Sequence, residues 1–385
     1  MKKKLQIAIV TNIAWNIYNF RRGLAAAIRN EGYEPVLMAA YDEYAEKLEE
    51  EGWKFVAVES MERTGINPLR DVALLKELIN LYKTHEIGVA LHYNAKPLVY
   101  ASLAATYLNI PSIPSITGLA GPFSGNRLLI SKIVTFLYTL ALKKSHKVVF
   151  QNTEDREFFL DKKITQREKT VMIEGSGVNM KLFNSDLFGT PPVDKTVFLM
   201  FSRLSKAKGV EYYIEAAREI KAKYKNVEFK LAGPFDSDKL ALSKEDVDAW
   251  HKEGIITYLG VSDFIQKEIS ESHIIVYPSY YREGVPKSLI ESAAMSRPII
   301  TTDNVGCREV VQDGVNGFLV PIKDGKALAE ACEKFMLMNE REKAALGKAS
   351  RQIAIDRFDE EKVLKKYIEL INECSPVLKN VNVAV

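Results

Sequence analysis

The sequence predicts an α/β protein built from two doubly wound parallel sheets, one following the other along the chain. Three observations carry that expectation. Short apolar runs alternate with longer amphipathic ones from Leu5 onward; the alternation lapses at 184–195, where Gly189, Pro191 and Pro192 cluster; and it restarts at Thr196. Alternation of this kind means parallel strands joined by helical crossovers, with helices on both faces of the sheet. A chain of 385 residues is also too long for one compact core. The expected division is a first domain at 1–183, a linker at 184–195, a second domain at 196–357 and a closing helical segment at 358–385.

In the first half the apolar runs place strands at 5–11, 34–39, 53–58, 87–92, 112–116 and 147–151. The amphipathic stretches between them place helices at 17–31, 42–51, 68–84, 96–108 and 127–143. In the second half, VFLMFS after Thr196 is the first strand, followed by strands at 227–232, 255–258, 273–277 and 298–301. GVNGFLV reads as a turn and a short strand, and helices from 325 to 373 close the chain.

Hydrophobic residues make up 47% and charged residues 27%, the balance of an ordinary globular protein and not of a disordered or fibrous one. Cys307, Cys332 and Cys374 lie far apart without metal-ligand spacing, so a reducing compartment and no disulfide framework are expected. The apolar run Ile7 to Val10 after the basic start is too short for a signal peptide, and no uninterrupted apolar stretch is long enough to span a bilayer. The protein is therefore expected in the cytoplasm, with any membrane contact peripheral. Net charge is only +3, and no nucleic-acid partner is expected. Between Glu86 and Glu154, however, there is no Asp or Glu, while Lys96, Arg127, Lys132, Lys143, Lys144 and Lys147 fall inside. That segment should turn a basic face toward something acidic.

Open parallel sheets bind ligands in the crevice beyond the carboxyl ends of their strands. At one such end lies Tyr277 to Thr302, YPSYYREGVPKSLIESAAMSRPIITT. Its loop carries Glu283, then Gly284, then Pro286, which suits a helix start, and Glu291 follows two turns into the helix. A helix N-terminus favours an anion, and flanking carboxylates suit a ligand that also offers hydroxyls. A nucleotide sugar offers both. Two glutamates eight residues apart also occur on many solvated helices, so the rest of the chain must decide. In SRLSKAKG, Arg203 and Lys208 flank the turn after the first strand of the second half, where a phosphate would sit.

In the first half, TNIAWNIYNFRR after the first strand offers Asn16 for hydrogen bonds, Tyr18 for stacking and Arg21 for an anion. It has no G-x-G-x-x-G fingerprint, which argues against a dinucleotide. The same aromatics suit plain core packing, and the arginines a solvated helix start. Thr117 and Gly118 in SITGLAGPF, and His92 and Lys96 in HYNAK, stand at other strand ends. A lone His92 equally suits a satisfied core position. Ile130, Ile133, Val134, Leu137, Tyr138 and Ala141 recur at helical spacing within 127–147, between basic flanks. Such a helix fits an anionic membrane surface, and it also fits one face packed on the sheet.

The two doubly wound halves, the Pro-bearing linker, SRLSKAKG, EGVPKSLIE and PIITTDNVGCREVVQDGVNGFLV together resemble the retaining glycosyltransferases of family 4, which have the GT-B fold. The likeness covers nearly the whole chain and implies two Rossmann-like domains facing a central cleft, acceptor-binding first and nucleotide-sugar-binding second, with the final helix, here Phe358 to Cys374, returning to the first domain. Carried over, Arg203 and Lys208 bind the donor diphosphate, Glu283 contacts donor sugar hydroxyls beside Gly284, Val285 and Pro286, and Glu291 holds the ribose. The acceptor falls to Asn16, Tyr18, Arg21, Lys96, Thr117 and Gly118.

The first loop lacks the usual pair of glycines and, with SITGLAGPF and REGVPKSL, looks like the subset that extends glycans on undecaprenyl diphosphate, such as N-acetylgalactosaminyltransferases. Distant members' acceptor residues therefore do not transfer, and the histidine they place near the donor sugar has no match unless His92 or the backbone near Gly118 substitutes. No cofactor and no metal are expected. Asp236 and Asp238 are the nearest D-x-D look-alike, and they fall in a loop expected to be solvated. An epimerase of the same shape acting on a sugar nucleotide, a transferase using a GDP-sugar or a lipopolysaccharide-core acceptor, and a non-catalytic glycan binder share these motifs.

Overall fold

In the computed structural model, which describes residues 4–61, 68–119, 128–236, 240–262 and 264–381, the chain divides into two compact units. They are Met1–Ser176 with Glu361–Val385, and Gly177–Glu360. The first unit holds strands β1 (Gln6–Ile13), β2 (Glu34–Ala40), β3 (Lys54–Ala57), β4 (Ile87–His92), β5 (Ser112–Ile116), β6 (Val148–Phe150) and β7 (Thr170–Met172). They form one sheet in the order β3-β2-β1-β4-β5-β6-β7, every pair parallel. Helices α1 (Ala14–Phe20), α2 (Arg22–Asn30), α3 (Glu43–Glu50), α4 (Pro68–Thr84), α5 (Ala95–Tyr107), α6 (Leu128–Leu142) and α7 (Thr153–Asp161) connect them.

The second unit holds β8 (Thr196–Phe201), β9 (Val227–Ala232), β10 (Thr257–Tyr258), β11 (Ile274–Tyr277), β12 (Ile299–Thr302) and β13 (Gly317–Val320), parallel in the order β10-β9-β8-β11-β12-β13. Its helices are α8 (Val210–Lys223), α9 (Lys244–Lys252), α10 (Ile265–Ser270), α11 (Lys287–Ala294), α12 (Gly325–Leu337) and α13 (Glu340–Ile353). A π-helical turn, Ala354–Phe358, leads to α14 (Glu360–Val381).

Each sheet is buried on both faces, which is why its strands read as unbroken apolar runs. Alternate residues of β1 show it: Ile7 and Ile9 join a core with Leu24, Ile28 and Leu48 from α2 and α3, whereas Ala8 and Val10 join Leu74, Leu78 and Ala101 from α4 and α5. In β8, Phe198 and Met200 pack with Tyr213 and Leu328, while Leu199 and Phe201 pack with Leu289 and Ile290. Val363, Tyr367, Leu370, Ile371 and Cys374 of α14 lie in the core of the first unit.

Three local differences from the sequence-based expectation have physical causes. The stretch TNIAWNIYNFRR is no loop, because β1 runs to Ile13 and α1 begins at Ala14. Its buried positions Ala14, Ile17, Arg21, Leu24 and Ile28 carry the helical spacing expected from residue 17 back to Ala14, with the buried Arg21 at the break between α1 and α2. The division falls at Ser176 and Gly177 instead of 183, because Val178 bridges Asp359 and Phe183 is part of the second unit's core. The segment 184–195 belongs to that unit, where Phe188 packs on the core and Ser270 Oγ donates to the Gly189 carbonyl.

Candidate active site

The carboxyl ends of β8, β9, β11 and β12 carry loops that converge. Two glycines allow it. Gly209, at φ +78°, would place a Cβ 2.0 Å from the Pro278 carbonyl oxygen, and Gly306, at φ +84°, would place one 2.2 Å from that of Gly284. Any side chain at either point would push the loop after β8, or the loop after β12, off the Glu283 loop. Further ties run from Tyr280 N to the Ala207 carbonyl at 3.1 Å, and from Asn304 Nδ2 to the Tyr281 carbonyl at 2.8 Å. Thr302 Oγ1 also donates to the Ser279 carbonyl.

Within this frame Lys208, at the end of the 3₁₀ turn Lys206–Lys208, is buried and its Nζ donates to Glu283 Oε1 at 2.7 Å. Tyr277 OH and Ser279 Oγ donate to the same oxygen, each at 2.8 Å. Burial alone pushes the Glu283 carboxyl up, but the charge of Lys208 and the hydrogen bonds from Lys208, Tyr277 and Ser279 outweigh it and hold the carboxyl below its ordinary value. Glu283 is therefore a fixed carboxylate that accepts hydrogen bonds, not a store for a proton. Pro286 is the N-cap of α11 and Glu291 lies in its second turn, 3.7 Å from Lys287 Nζ. Burial raises the Glu291 pKa, and the single Lys287 partner only partly offsets it. The two carboxyls on one loop and helix are thus shifted in opposite directions by their surroundings.

Arg203 leaves β8 toward the same edge, and its Nη1 lies 2.5 Å from Asp236 Oδ2 in the loop after β9. The Asp236 side chain is 2% exposed, so it is not the solvated residue expected; Asp238 lies outside the described residues. Among the described residues, no three His, Cys, Asp or Glu side chains gather as a metal would need.

In the first unit Thr117 and Gly118 line a small pocket with Asn94, Ala95, Leu98, Ser115 and Tyr138. Asn16 reaches that region through a relay: its Nδ2 donates to Asn12 Oδ1, and Asn12 N donates to Asn94 Oδ1 at 3.4 Å. Asn94 was not singled out from the sequence, although it sits in HYNAK; its φ of 63° with ψ of 146° is a backbone conformation glycine usually takes.

The other candidates do not gather there. Arg21 is buried with its guanidinium 3.8 Å from the Tyr93 ring centroid, so the anion contact expected of it is replaced by an internal stacking. Tyr18 lies under Arg22 and beside Tyr44, and Lys96 Nζ is 2.9 Å from Asp71 in a largely enclosed ion pair. His92 is a satisfied core residue, bonded to Tyr82 at 2.9 Å and Ser102 at 2.8 Å, and burial pushes its pKa down to about 3.

Residues 195–337 match the family described as Glycosyl transferases group 1. Across 98% of this chain and all of the relative, the sequence is 27% identical to the N,N'-diacetylbacillosaminyl-diphospho-undecaprenol alpha-1,3-N-acetylgalactosaminyltransferase of Campylobacter jejuni. It is 31% identical to the alpha-D-kanosaminyltransferase of Streptomyces kanamyceticus over 37% of each chain. Among solved structures, a glycosyltransferase from Rickettsia africae superposes with a TM-score of 0.77 at 21% identity, covering 97% of this chain and 99% of that one. Anabaena Alr3699/HepE in complex with UDP-glucose gives 0.76 at 18% identity, covering 96% and 100%. Two parallel Rossmann-like units of this architecture are the GT-B fold. With that fold along its length and a glycosyl transferases group 1 domain at 195–337, the chain is a glycosyltransferase.

Proposed function

We propose that the protein transfers a hexose or N-acetylhexosamine, with N-acetylgalactosamine the first sugar to try, from a UDP-sugar to a saccharide carried on undecaprenyl diphosphate. Transfer retains the anomeric configuration and uses no metal. The observation that carries the reading is the convergence of Arg203, Lys208 and Glu283 at one strand-end edge of the second unit. Departure of a nucleoside diphosphate builds negative charge on its leaving oxygens, and fixed cations beside a helix N-terminus stabilise that charge without reorganising. Arg203, Lys208 and the start of α11 supply it. Glu283 and Glu291 then act as hydroxyl acceptors for sugar and ribose, with Gly284, Val285 and Pro286 forming the loop between them.

The acceptor is assigned to the first unit, around Asn16, Asn94, Thr117 and Gly118. Support for its lipid carrier, and for a protein that works at the inner face of the cytoplasmic membrane, comes from the full-length relative acting on a diphospho-undecaprenol substrate and from the exposed apolar residues of α6 with Lys132 and, just beyond the helix, Lys143 and Lys144. The deciding experiment is transfer to a polyprenyl-diphosphate-linked acceptor, with a panel of UDP- and GDP-sugars, in EDTA. Arg203→Ala and Lys208→Ala should each abolish product while the protein stays folded. Near-normal turnover in either variant would rule out this donor site.

A further inference from the structure

The chains leaving β8 and β9 stay zipped together beyond the sheet. Ser202 N donates to the Ala232 carbonyl at 3.1 Å and Leu204 N to that of Pro234 at 2.8 Å, and Leu204 bridges Phe235 in parallel. Gly233, at φ +135°, makes the approach possible, since a Cβ there would lie 1.8 Å from the Ser202 oxygen. This extension delivers Asp236 to Arg203. The two side chains differ sharply in exposure, 2% for Asp236 against 40% for Arg203.

As a source of stability such a pair makes little sense. A half-open arginine gains little from an ion pair, while enclosing a carboxylate is costly. The arrangement makes sense if its purpose is the arginine. A single contact at Nη1 anchors a long, rotamer-rich side chain and leaves the rest of the guanidinium for a planar, two-point grip on phosphate oxygens. Among the described residues the structure gives Arg203 no other side-chain acceptor.

We propose that Asp236 is a positioning residue, which holds Arg203 in the conformation that receives the diphosphate of the donor, so that binding need not order it. The proposal rests on the donor-site reading above. The test uses the full-length protein: UDP is titrated by calorimetry into wild type, Asp236→Ala, Asp236→Asn, Arg203→Ala and the Arg203→Ala/Asp236→Ala double variant, and donor kinetics are measured for wild type, Asp236→Ala and Asp236→Asn. Losing the anchor should weaken UDP binding and raise the donor KM by about tenfold, the scale of re-ordering one long side chain, with kcat changed far less. Asp236→Asn keeps an acceptor oxygen and should fall between wild type and Asp236→Ala. In the Arg203→Ala background, where no product is expected, removing Asp236 should not weaken UDP binding further.

An equal loss in both backgrounds would overturn the proposal, because Asp236 would then act without Arg203. So would tighter UDP binding by Asp236→Asn, which would make the carboxylate a repulsive neighbour. If Arg203→Ala itself binds UDP like wild type, the donor-site reading fails as well, and that outcome is distinct from an unaffected Asp236→Ala beside a defective Arg203→Ala.

Discussion

Glu283 and Glu291 share a loop and a helix but should respond to pH and mutation in opposite ways. The depressed pKa of Glu283 means that its contribution to stability is present above the unfolded-state pKa and is lost as pH falls through the folded value. Glu291, raised by burial, contributes below the unfolded pKa and loses that contribution as pH rises through its folded one. At pH 7, Glu283→Gln should therefore destabilise by roughly 1–3 kcal/mol, since Lys208 loses its charged partner. Glu291→Gln should instead raise stability, since the buried carboxylate it replaces is disfavoured there. Thermal unfolding at pH 7 and pH 4 checks both, and the two differences from wild type should shrink in acid. The sequence could mark Arg203, Lys208 and Glu283, because each follows a strand at the binding edge. It could mark Asp236 only as half of a D-x-D look-alike in a Gly-Pro loop; its partner becomes visible only when β8 and β9 lie side by side.

Among elements, α6 illustrates what patterning can and cannot decide. Its apolar residues were equally compatible with lipid and with packing, and the helix divides them. Tyr138, Ala141 and Leu142 are buried, whereas Ile133, Phe136 and Leu140 are 51%, 61% and 40% exposed at a spacing that puts them on one face. Lys132, Lys143 and Lys144 are exposed, while Lys147 Nζ donates to the Glu168 carbonyl at 3.0 Å; Arg127 lies outside the described residues. Vesicles containing anionic lipid should co-sediment the protein, and Lys143→Glu with Lys144→Glu should weaken that at least tenfold, given about 1 kcal/mol for each basic residue near such a surface. No change on substitution would leave α6 without a lipid role. The half-buried β7 and the short α7 escaped the sequence for the opposite reason. Three partly exposed residues and a nine-residue helix with two buried positions leave too little pattern to read.

At the scale of the molecule the two parallel sheets were legible because burial on both faces forces continuous apolar strands, and the sequence placed the break between halves close to where they divide. What it could not place is the exact crossing, since Val178 and Phe183 belong to the second unit through contacts with residues near 359. Truncation after Glu360 should leave Gly177–Glu360 resistant to limited proteolysis and open the first unit to it, because five buried side chains of α14, each worth about 2 kcal/mol, leave its core. Equal resistance in both units would show that α14 is dispensable. The same arrangement governs how the protein is born. Ribosomes release domains in sequence and each usually folds as it emerges, yet here the first unit waits for residues 361–374, made after the whole second unit. The unit synthesised first is completed last, and until then the apolar surface that α14 covers is exposed to the cell.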